Sequence, residues 1–479
     1  MKRITYLIFI LAAVLAAPPA VFSQSADDVL RYQLQYPSQD AISLVMPGTA
    51  WASGYGAYQQ NPASMALFDE SYLSFSLDSR YVSEEGRYLG SSNTHDVNET
   101  NIGDFGFLYD FPVSQGALVV GGGYSQSADF NRALAGGGFN NRSSITDFYN
   151  IAPDDSLFFA AFDVYAIDYA TTDSSFANTS SIFRIGVPYK GVDQDFEMQE
   201  NGRMGEYSAF IATEFKENLL VGASIGIFEG GYTYERNFLE SDRQDLYNYT
   251  FIDTDGDGEP ETDIDRILSE DTIDASFTAF SARLGAIYRI TPHVQVGVGY
   301  QFPSTLSFEE EYNTTIRTTF DNGVVFEDEA PGRFNYKIVR PNRINLGVGA
   351  QNLGPVNLSA SAEYVPYSEG RIEFDELELR PSQEAINDNV GSSLSDVWNL
   401  QAGLEFEVDE RFVPRLGYAH YPSPYKGTAA VDNTRQIYSG GSAPCAADRD
   451  SLRPGRAVRH LGRPKQPLLL CPGHQRHLP

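Results

Sequence analysis

The sequence predicts an all-β chain forming an antiparallel transmembrane β-barrel. Three observations predict it: strict two-residue alternation, a second face that is small and polar, and an export signal with no helical span after it. In the clearest stretch, Leu219, Val221, Ala223, Ile225 and Ile227 alternate with Leu220, Gly222, Ser224, Gly226 and Phe228. Val294, Val296, Val298, Tyr300 and Phe302 alternate with Gln295, Gly297, Gly299 and Gln301; Ile344, Leu346, Val348 and Ala350 alternate with Asn345, Gly347, Gly349 and Gln351. Strand side chains change face at every residue, so each stretch has one apolar face and one of glycine, amide and charge. A soluble sandwich would expose large polar side chains. Small polar ones suit a barrel with lipid outside and a packed or watery interior. Charges within the strands keep to that register: Arg283 and Arg289 oppose Ala282, Leu284, Ala286 and Tyr288, and Glu405 and Glu407 oppose Leu404, Phe406 and Val408.

The ends differ from this body. Lys2 and Arg3 followed by the apolar run Ile4–Ala17 read as a secretion signal over residues 1–23, cut between Ser23 and Gln24. No later stretch approaches the ~18 apolar residues of a membrane helix. An exported chain of alternating strands points to the outer membrane of a Gram-negative cell. Residues 439–479 are basic, proline-rich and without alternation, and they hold both cysteines (Cys445, Cys471) and three of the six histidines. A shifted reading frame or mispredicted gene end explains that abruptness better than a genuine basic tail. Outer-membrane assembly machinery reads a terminal aromatic strand, which Leu478-Pro479 does not supply.

Strands are expected near Tyr72–Val82, Ile102–Phe111, Gly116–Ser127, within Leu157–Val187, and near Glu206–Phe215, Leu219–Glu235, Ile273–Ile290, Val294–Glu311, Phe334–Gln351, Val356–Phe374, Trp398–Val408 and Phe412–Tyr421, with another beginning at Thr434. Because bacterial barrels close with an even count, this implies fourteen strands over residues 71–438, the last strand lost to the aberrant end. Short connections alternate with long ones at Ala128–Gly205, Arg236–Thr272, Tyr312–Arg333 and Asp375–Asp396, the long class facing the cell exterior. The 31 Phe and 29 Tyr fit interfacial girdles in contact with outer-membrane lipid. A net charge of −30 argues against nucleic-acid binding.

Residues 24–70 do not alternate. They contain Met46-Pro47-Gly48-Thr49-Ala50 and then Asn61-Pro62-Ala63-Ser64-Met65-Ala66. Proline and glycine at this density make a compact irregular segment: a leader, a docking peptide or an internal plug. Asn61-Pro62 alone is an ordinary turn signal. Together with the barrel, however, it resembles the hatch motif of the FadL/TodX family, with Ser64 and Met65 replacing the usual Gly and Leu. Met204-Gly205-Glu206-Tyr207-Ser208 and Leu416-Gly417-Tyr418 followed by Pro422-Ser423-Pro424 add to the resemblance.

The resemblance implies a fourteen-stranded barrel plugged by an N-terminal hatch (24–70). It implies passive uptake of hydrophobic compounds, long-chain fatty acids or aromatic hydrocarbons, with lateral release into the membrane. A FadL-like shuttle of type IX secretion and a general porin are the competing readings. Asn61, Pro62 and Ala63 would fix the hatch in its seat. Phe158, Phe159, Phe162, Tyr165 and Tyr169 form a candidate capture loop, or else one more strand or the apolar side of a loop helix. Asp253, Asp255 and Asp257, with Gly258 and Glu261, match the first half of a calcium loop, and Asp263 or Asp265 could stand in for the final ligand. No other cofactor is implied. Gly121–Gly123 and Gly136–Gly138 lack the lysine of a phosphate loop, and before the tail only His95, His293 and His420 remain, with no spacing that supports catalysis.

Overall fold

The computed structural model describes residues 26–35, 42–51, 54–150, 155–170, 175–248, 252–408, 412–427 and 434–443. The expected signal and the tail beyond Ala443 lie outside them. One antiparallel sheet dominates. It begins with β1 (Tyr72–Tyr88), β2 (Ser91–Asp110), β3 (Leu118–Asp129) and β4 (Arg132–Asn140). A small separate hairpin, β5 (Ile167–Tyr169) and β6 (Thr179–Ser181), follows within the loop. The sheet continues through β7 (Val192–Lys216), β8 (Leu219–Ser241), β9 (Ile264–Arg289), β10 (Val294–Gln301), β11 (Ser304–Phe320), β12 (Val325–Arg340) and β13 (Arg343–Leu353). It ends with β14 (Val356–Val365), β15 (Arg371–Phe374), β16 (Val397–Phe406), β17 (Val413–Tyr421) and β18 (Arg435–Ala443).

Pairing runs β1-β2-β3-β7-β8-β9-β10-β13-β14-β16-β17-β18 among the described residues. Off this path, β11 and β12 continue β10 and β13 upward: β9 pairs with both β10 and β11, and β11 pairs with β12. The interruptions fall at Pro303 and Pro341, where a missing N–H breaks the ladder. That path holds twelve strands, against thirteen expected within this chain and a fourteenth expected to be lost with its end. The run within Leu157–Val187 is not a wall strand: it holds a helix, Ser156–Asp163, capped by Asp155 onto the Leu157 amide. A short apolar run cannot be assigned to helix or strand by periodicity alone.

The strands also run further than their apolar alternation. Tyr312–Arg333, expected as a long loop, is the paired body of β11 and β12 around a turn at residues 321–324. Residues 83–101, expected between strands, are a ladder closed by the two-residue turn Leu89-Gly90, whose φ values of 47° and 87° fit a mirror-type hairpin turn. Arg236–Thr272 shrinks to a loop at 242–263, Ala128–Gly205 to one at 141–191, and Asp375–Asp396 holds a helix, Arg380–Ser393. The expected strand Val356–Phe374 divides, since β15 pairs with β12 instead.

The two faces are as the alternation requires. Ile225, Ile227, Val298, Leu346 and Leu404 stand exposed on one face, while Gln295, Gln301, Arg283, Asn345 and Glu405 are buried on the other. An apolar belt of this extent has no partner in water and belongs against hydrocarbon. Its upper limit is traced by Phe105, Tyr207, Phe280, Tyr300 and Phe302; beyond Phe280 the outward positions of β9 become Thr278, Ser276, Asp274 and Thr272.

Candidate functional site

The polar face is covered by the N-terminal segment. Wherever that segment lies, the sheet offers glycine. A Cβ on Gly222, Gly285, Gly297, Gly299, Gly347, Gly349, Gly403 or Gly417 would come under 3.0 Å from residues 45–63. For Gly297 and Gly299 the obstacle is backbone: the carbonyl oxygens of Thr49 and Gln60. Wall side chains then donate to the segment's own carbonyls. Gln295 Nε2 reaches Ala50 O at 2.7 Å, Ser359 Oγ reaches Pro47 O at 2.8 Å, and Ser439 Oγ reaches Leu44 O at 3.0 Å. These are the partners that buried irregular backbone requires.

Asn61-Pro62-Ala63 sits at the centre of this seat. Asn61 is fully buried and caps the 3₁₀ helix Pro62–Leu67: its Oδ1 accepts from Ala63 N at 3.0 Å. Its Nδ2 donates to Thr49 O at 2.6 Å and to Ala286 O of β9 at 3.2 Å. One amide thus ties together the turn, the preceding loop and the wall. Asn61→Leu removes all three bonds and strands buried backbone groups, each at a cost of about 1–3 kcal/mol. The expected result is a clearly lower heat-unfolding temperature in detergent and altered uptake; unchanged values of both would show that Asn61 does not hold the seat.

Above the seat lies a layer of buried ions. Arg283 and Glu206 form a two-pronged pair at 2.6 and 2.9 Å, with side chains 3% and 0% exposed. Arg343 pairs with Glu363 at 3.3 Å and donates to the Gln33 carbonyl. A cavity of about 40 Å³ remains among Gln60, Arg283, Arg343, Glu363, Asn399 and Gln401. Gln60 spans it, donating from Nε2 to Gln401 Oε1 at 2.8 Å while its Oε1 accepts from Gly48 N at 2.6 Å.

Arg340, one step higher on β12, is different. It is 3% exposed, its Nε donates to Ser304 Oγ at 3.0 Å, and its Nη1 lies 3.6 Å from Met204 Sδ. The guanidinium carbon lies 4.2 Å from the centroid of the Phe228 ring. Nη2 has no partner among the described residues, and no carboxylate forms an ion pair with this arginine there. Glu206 and Glu363 are already engaged by Arg283 and Arg343. The sequence shows Arg340 only as a charge beside Pro341; its lack of a counter-ion depends on which distant strands lie beside it.

Beyond Arg340 the covered face turns aromatic. Tyr32, on the N-terminal helix α1 (Ala26–Gln33), inserts among Phe130, Phe277 and Phe308 at ring distances of 5.3, 5.2 and 4.6 Å, all edge to face. Val29, Leu30, Phe228, Phe334, Tyr336 and Ile338 extend the cluster. Glu310 borders it, past the aromatic edge of the belt, and accepts from Tyr336 Oη at 3.0 Å. Burial pushes its carboxyl up to about 7 from the ordinary 4.5. A raised carboxyl stabilises the folded chain at low pH, and this contribution is lost as pH rises through about 7. The wild type is therefore expected to unfold at a lower denaturant midpoint at pH 8 than at pH 5.5, and Glu310→Gln to reduce that difference. An undiminished difference in the variant would assign the effect to other groups.

The wall beside this cluster is incompletely paired. β2 leaves β3 after Asp104↔Ser125, whereas β3 stays on β7 to Asp129↔Arg203, with a register shift between Gln126 and Ala128. Above that point β2 pairs with β1 alone. The corner Phe130-Asn131 turns the chain into β4, whose far end meets the β1–β2 turn: Gly137 N donates to Ser91 Oγ at 3.2 Å. Between these two contacts β2 and β3 form no backbone ladder, and Phe130 links the corner to the aromatic cluster.

Residues 214–444 match the family model described as outer membrane protein transport protein (OMPP1/FadL/TodX). The match takes in just under half of the chain, and that half resembles this family. The similarity is to outer-membrane transport proteins rather than to enzymes. No curated protein matches the chain. Among solved structures it is similar to the toluene transporter TodX of Pseudomonas putida, at 13% identity over 85% of this chain and 89% of that one with a TM-score of 0.44. A Pseudomonas aeruginosa FadL homologue aligns at 13% identity over 86% of each chain with a TM-score of 0.46. The monoaromatic hydrocarbon channel CymD aligns at 14% identity over 86% and 89%, with a TM-score of 0.42.

Two other expected sites of this chain lie elsewhere. Phe158, Phe159, Phe162 and Tyr165 belong to the loop helix Ser156–Asp163 and the turn after it, with Tyr169 following in β5. Phe158 is 1% exposed, Phe159 is open, and Phe158, Phe159, Phe162 and Tyr169 all have Phe176 as a ring neighbour. They build a loop core distinct from the aromatic cluster around Tyr32. Of the acidic set, Asp253, Asp255 and Glu261 converge within 4.8 Å, and Asp257 and Asp265 do not join them. Asp253 is occupied by Gly256 N at 2.7 Å and Gly258 N at 2.8 Å, and Glu261 accepts from Thr254 N at 3.0 Å. A second trio, Asp245, Asp263 and Asp321, gathers at the loop's exit, where burial and the neighbouring Asp321 raise the Asp263 carboxyl to about 6.

Proposed function

We propose that the protein carries anionic amphiphiles of the long-chain fatty-acid type through a closed barrel plugged by residues 24–70, passively, and releases them sideways into the membrane. One observation carries the choice of substrate: a buried arginine without a carboxylate, Arg340, adjoins a large aromatic cluster. A carboxylate would complete the ion layer, in which three arginines share two acids, and charge-assisted bonds of this kind contribute about 1.5–3 kcal/mol. An acyl chain would take the place of Val29, Leu30 and Tyr32 in the cluster, gaining ~0.8 kcal/mol per buried methylene. A neutral aromatic hydrocarbon would fill the cluster and leave Arg340 as it stands. The seated N-terminal segment counts against a general porin, whose lumen stays open. A secretion shuttle would instead hold polypeptide among the loops.

The test is equilibrium binding of dodecanoate and dodecanol to the purified protein in a neutral detergent. The wild type is expected to bind the acid at least about tenfold more tightly, equivalent to 1.4 kcal/mol. Arg340→Met should abolish that preference while keeping alcohol affinity, and Arg340→Lys should keep most of it. Equal affinity of the wild type for acid and alcohol would contradict the fatty-acid assignment and favour neutral hydrocarbons.

A further inference from the structure

Side-chain contacts cross the unpaired stretch between β2 and β3. Arg80 of β1 lies 3.6 Å from Asp129 at the end of β3, and Asn131 at the corner donates to Glu99 of β2. Nearer the hairpin tip, Asn93 Nδ2 meets Ala135 O at 3.4 Å. The ion pair is sheltered, its side chains 16% and 5% exposed. Directly behind it Phe130 packs on Tyr32.

Each member of the pair also has a second partner on its own side. Arg80 lies 3.5 Å from Asp78 of the same strand. Asp129 accepts from Asn131 N at 3.0 Å and from Gln126 Nε2 at 3.5 Å. Separating Arg80 from Asp129 therefore strands neither charge, unlike the rupture of an isolated buried pair, which leaves an uncompensated ion. The arrangement has two satisfied states: one bridging the strands and one retracted on each side.

We propose that Arg80 is the bar of a latch across this stretch of wall: bound to Asp129 it holds the hairpin against the β3 corner, and withdrawn to Asp78 it lets the wall part. The proposal rests on the lateral-release reading above and adds its regulation. Because the bar is an ion pair with alternatives, opening requires side chains to swing, Arg80 from Asp129 and Asn131 from Glu99, rather than the loss of backbone ladder.

The test places cysteines at positions 80 and 129 in a Cys445→Ser/Cys471→Ser background and joins them with a cleavable bis-methanethiosulfonate. Uptake of radiolabelled oleate by cells carrying the protein is then measured. The joined protein is expected to lose at least tenfold in uptake rate and to recover on reduction, while either single cysteine variant treated alike stays active. The charge-reversed pair Arg80→Asp/Asp129→Arg should transport like the wild type, and Arg80→Asp alone should differ from it. Wild-type rates in the joined protein would overturn the latch and leave the transporter reading standing. Absence of uptake by the wild type relative to empty cells would overturn the transporter reading and the latch with it.

Discussion

Replacing Gly297 and Gly299 together with alanine is expected to open the protein to small polar solutes. Each new methyl group would meet a backbone carbonyl, of Thr49 and of Gln60, at a separation that real Cβ atoms do not show. Neither obstacle is the free end of a side chain, so the N-terminal segment itself must lift. Overpacking of this kind costs about 1–3 kcal/mol per site. The loss spreads along the seat, because Thr49 O is also the acceptor for Asn61 Nδ2. In planar bilayers the wild type should show little conductance and the double variant a steady one. Gly391→Ala, whose new methyl group meets nothing within 4 Å, is the matched control and should stay closed. A correctly folded double variant that conducts no more than the wild type would mean that the segment does not plug the barrel.

The largest loss of stability is expected from Arg283→Met. Glu206 would remain buried, with only Ser281 Oγ among the described residues donating to it in place of a two-pronged cation. Removing one partner of a fully buried pair costs about 3–5 kcal/mol, whereas removing both with shape retained costs far less. The double variant Arg283→Met/Glu206→Gln should therefore recover much of what the single variant loses, giving a large coupling energy in a double-mutant cycle. Guanidinium unfolding in detergent reads this directly. Additive losses would show that the two side chains do not act as a pair in the folded state.

These expectations depend on features that the sequence reveals unequally. The faces of β8, β10 and β13 were legible because lipid demands an apolar residue at every second position, without exception, across the belt. The true lengths of β9, β11 and β12 were not. Beyond Phe280 and Phe302 the outward positions meet water, so Asp274, Glu270 and Glu309 replace apolar residues and the period-two signal vanishes while the ladder continues. The helix around Phe158 looked like a strand because an eight-residue apolar stretch carries too few turns to display its period. Asn61-Pro62-Ala63 stood out as a turn, and its geometry as an N-cap agrees with that. That its amide also reaches Ala286 required the fold, as did the glycine seat, since small residues facing inward predict a close neighbour without naming it. Arg340, Arg80 and Asp129 were silent in the sequence for the same reason: the meaning of a charge lies in its partners, and these come from strands far apart along the chain.

The central claim is that a plugged barrel passes hydrophobic molecules while excluding polar ones. It is tested most directly by measuring, in the same Gram-negative cells with and without the protein, the entry of radiolabelled oleate and of a small sugar. The account predicts that the protein accelerates oleate entry severalfold and leaves sugar entry unchanged. Faster sugar entry, or oleate entry equal to that of cells without the protein, would contradict it.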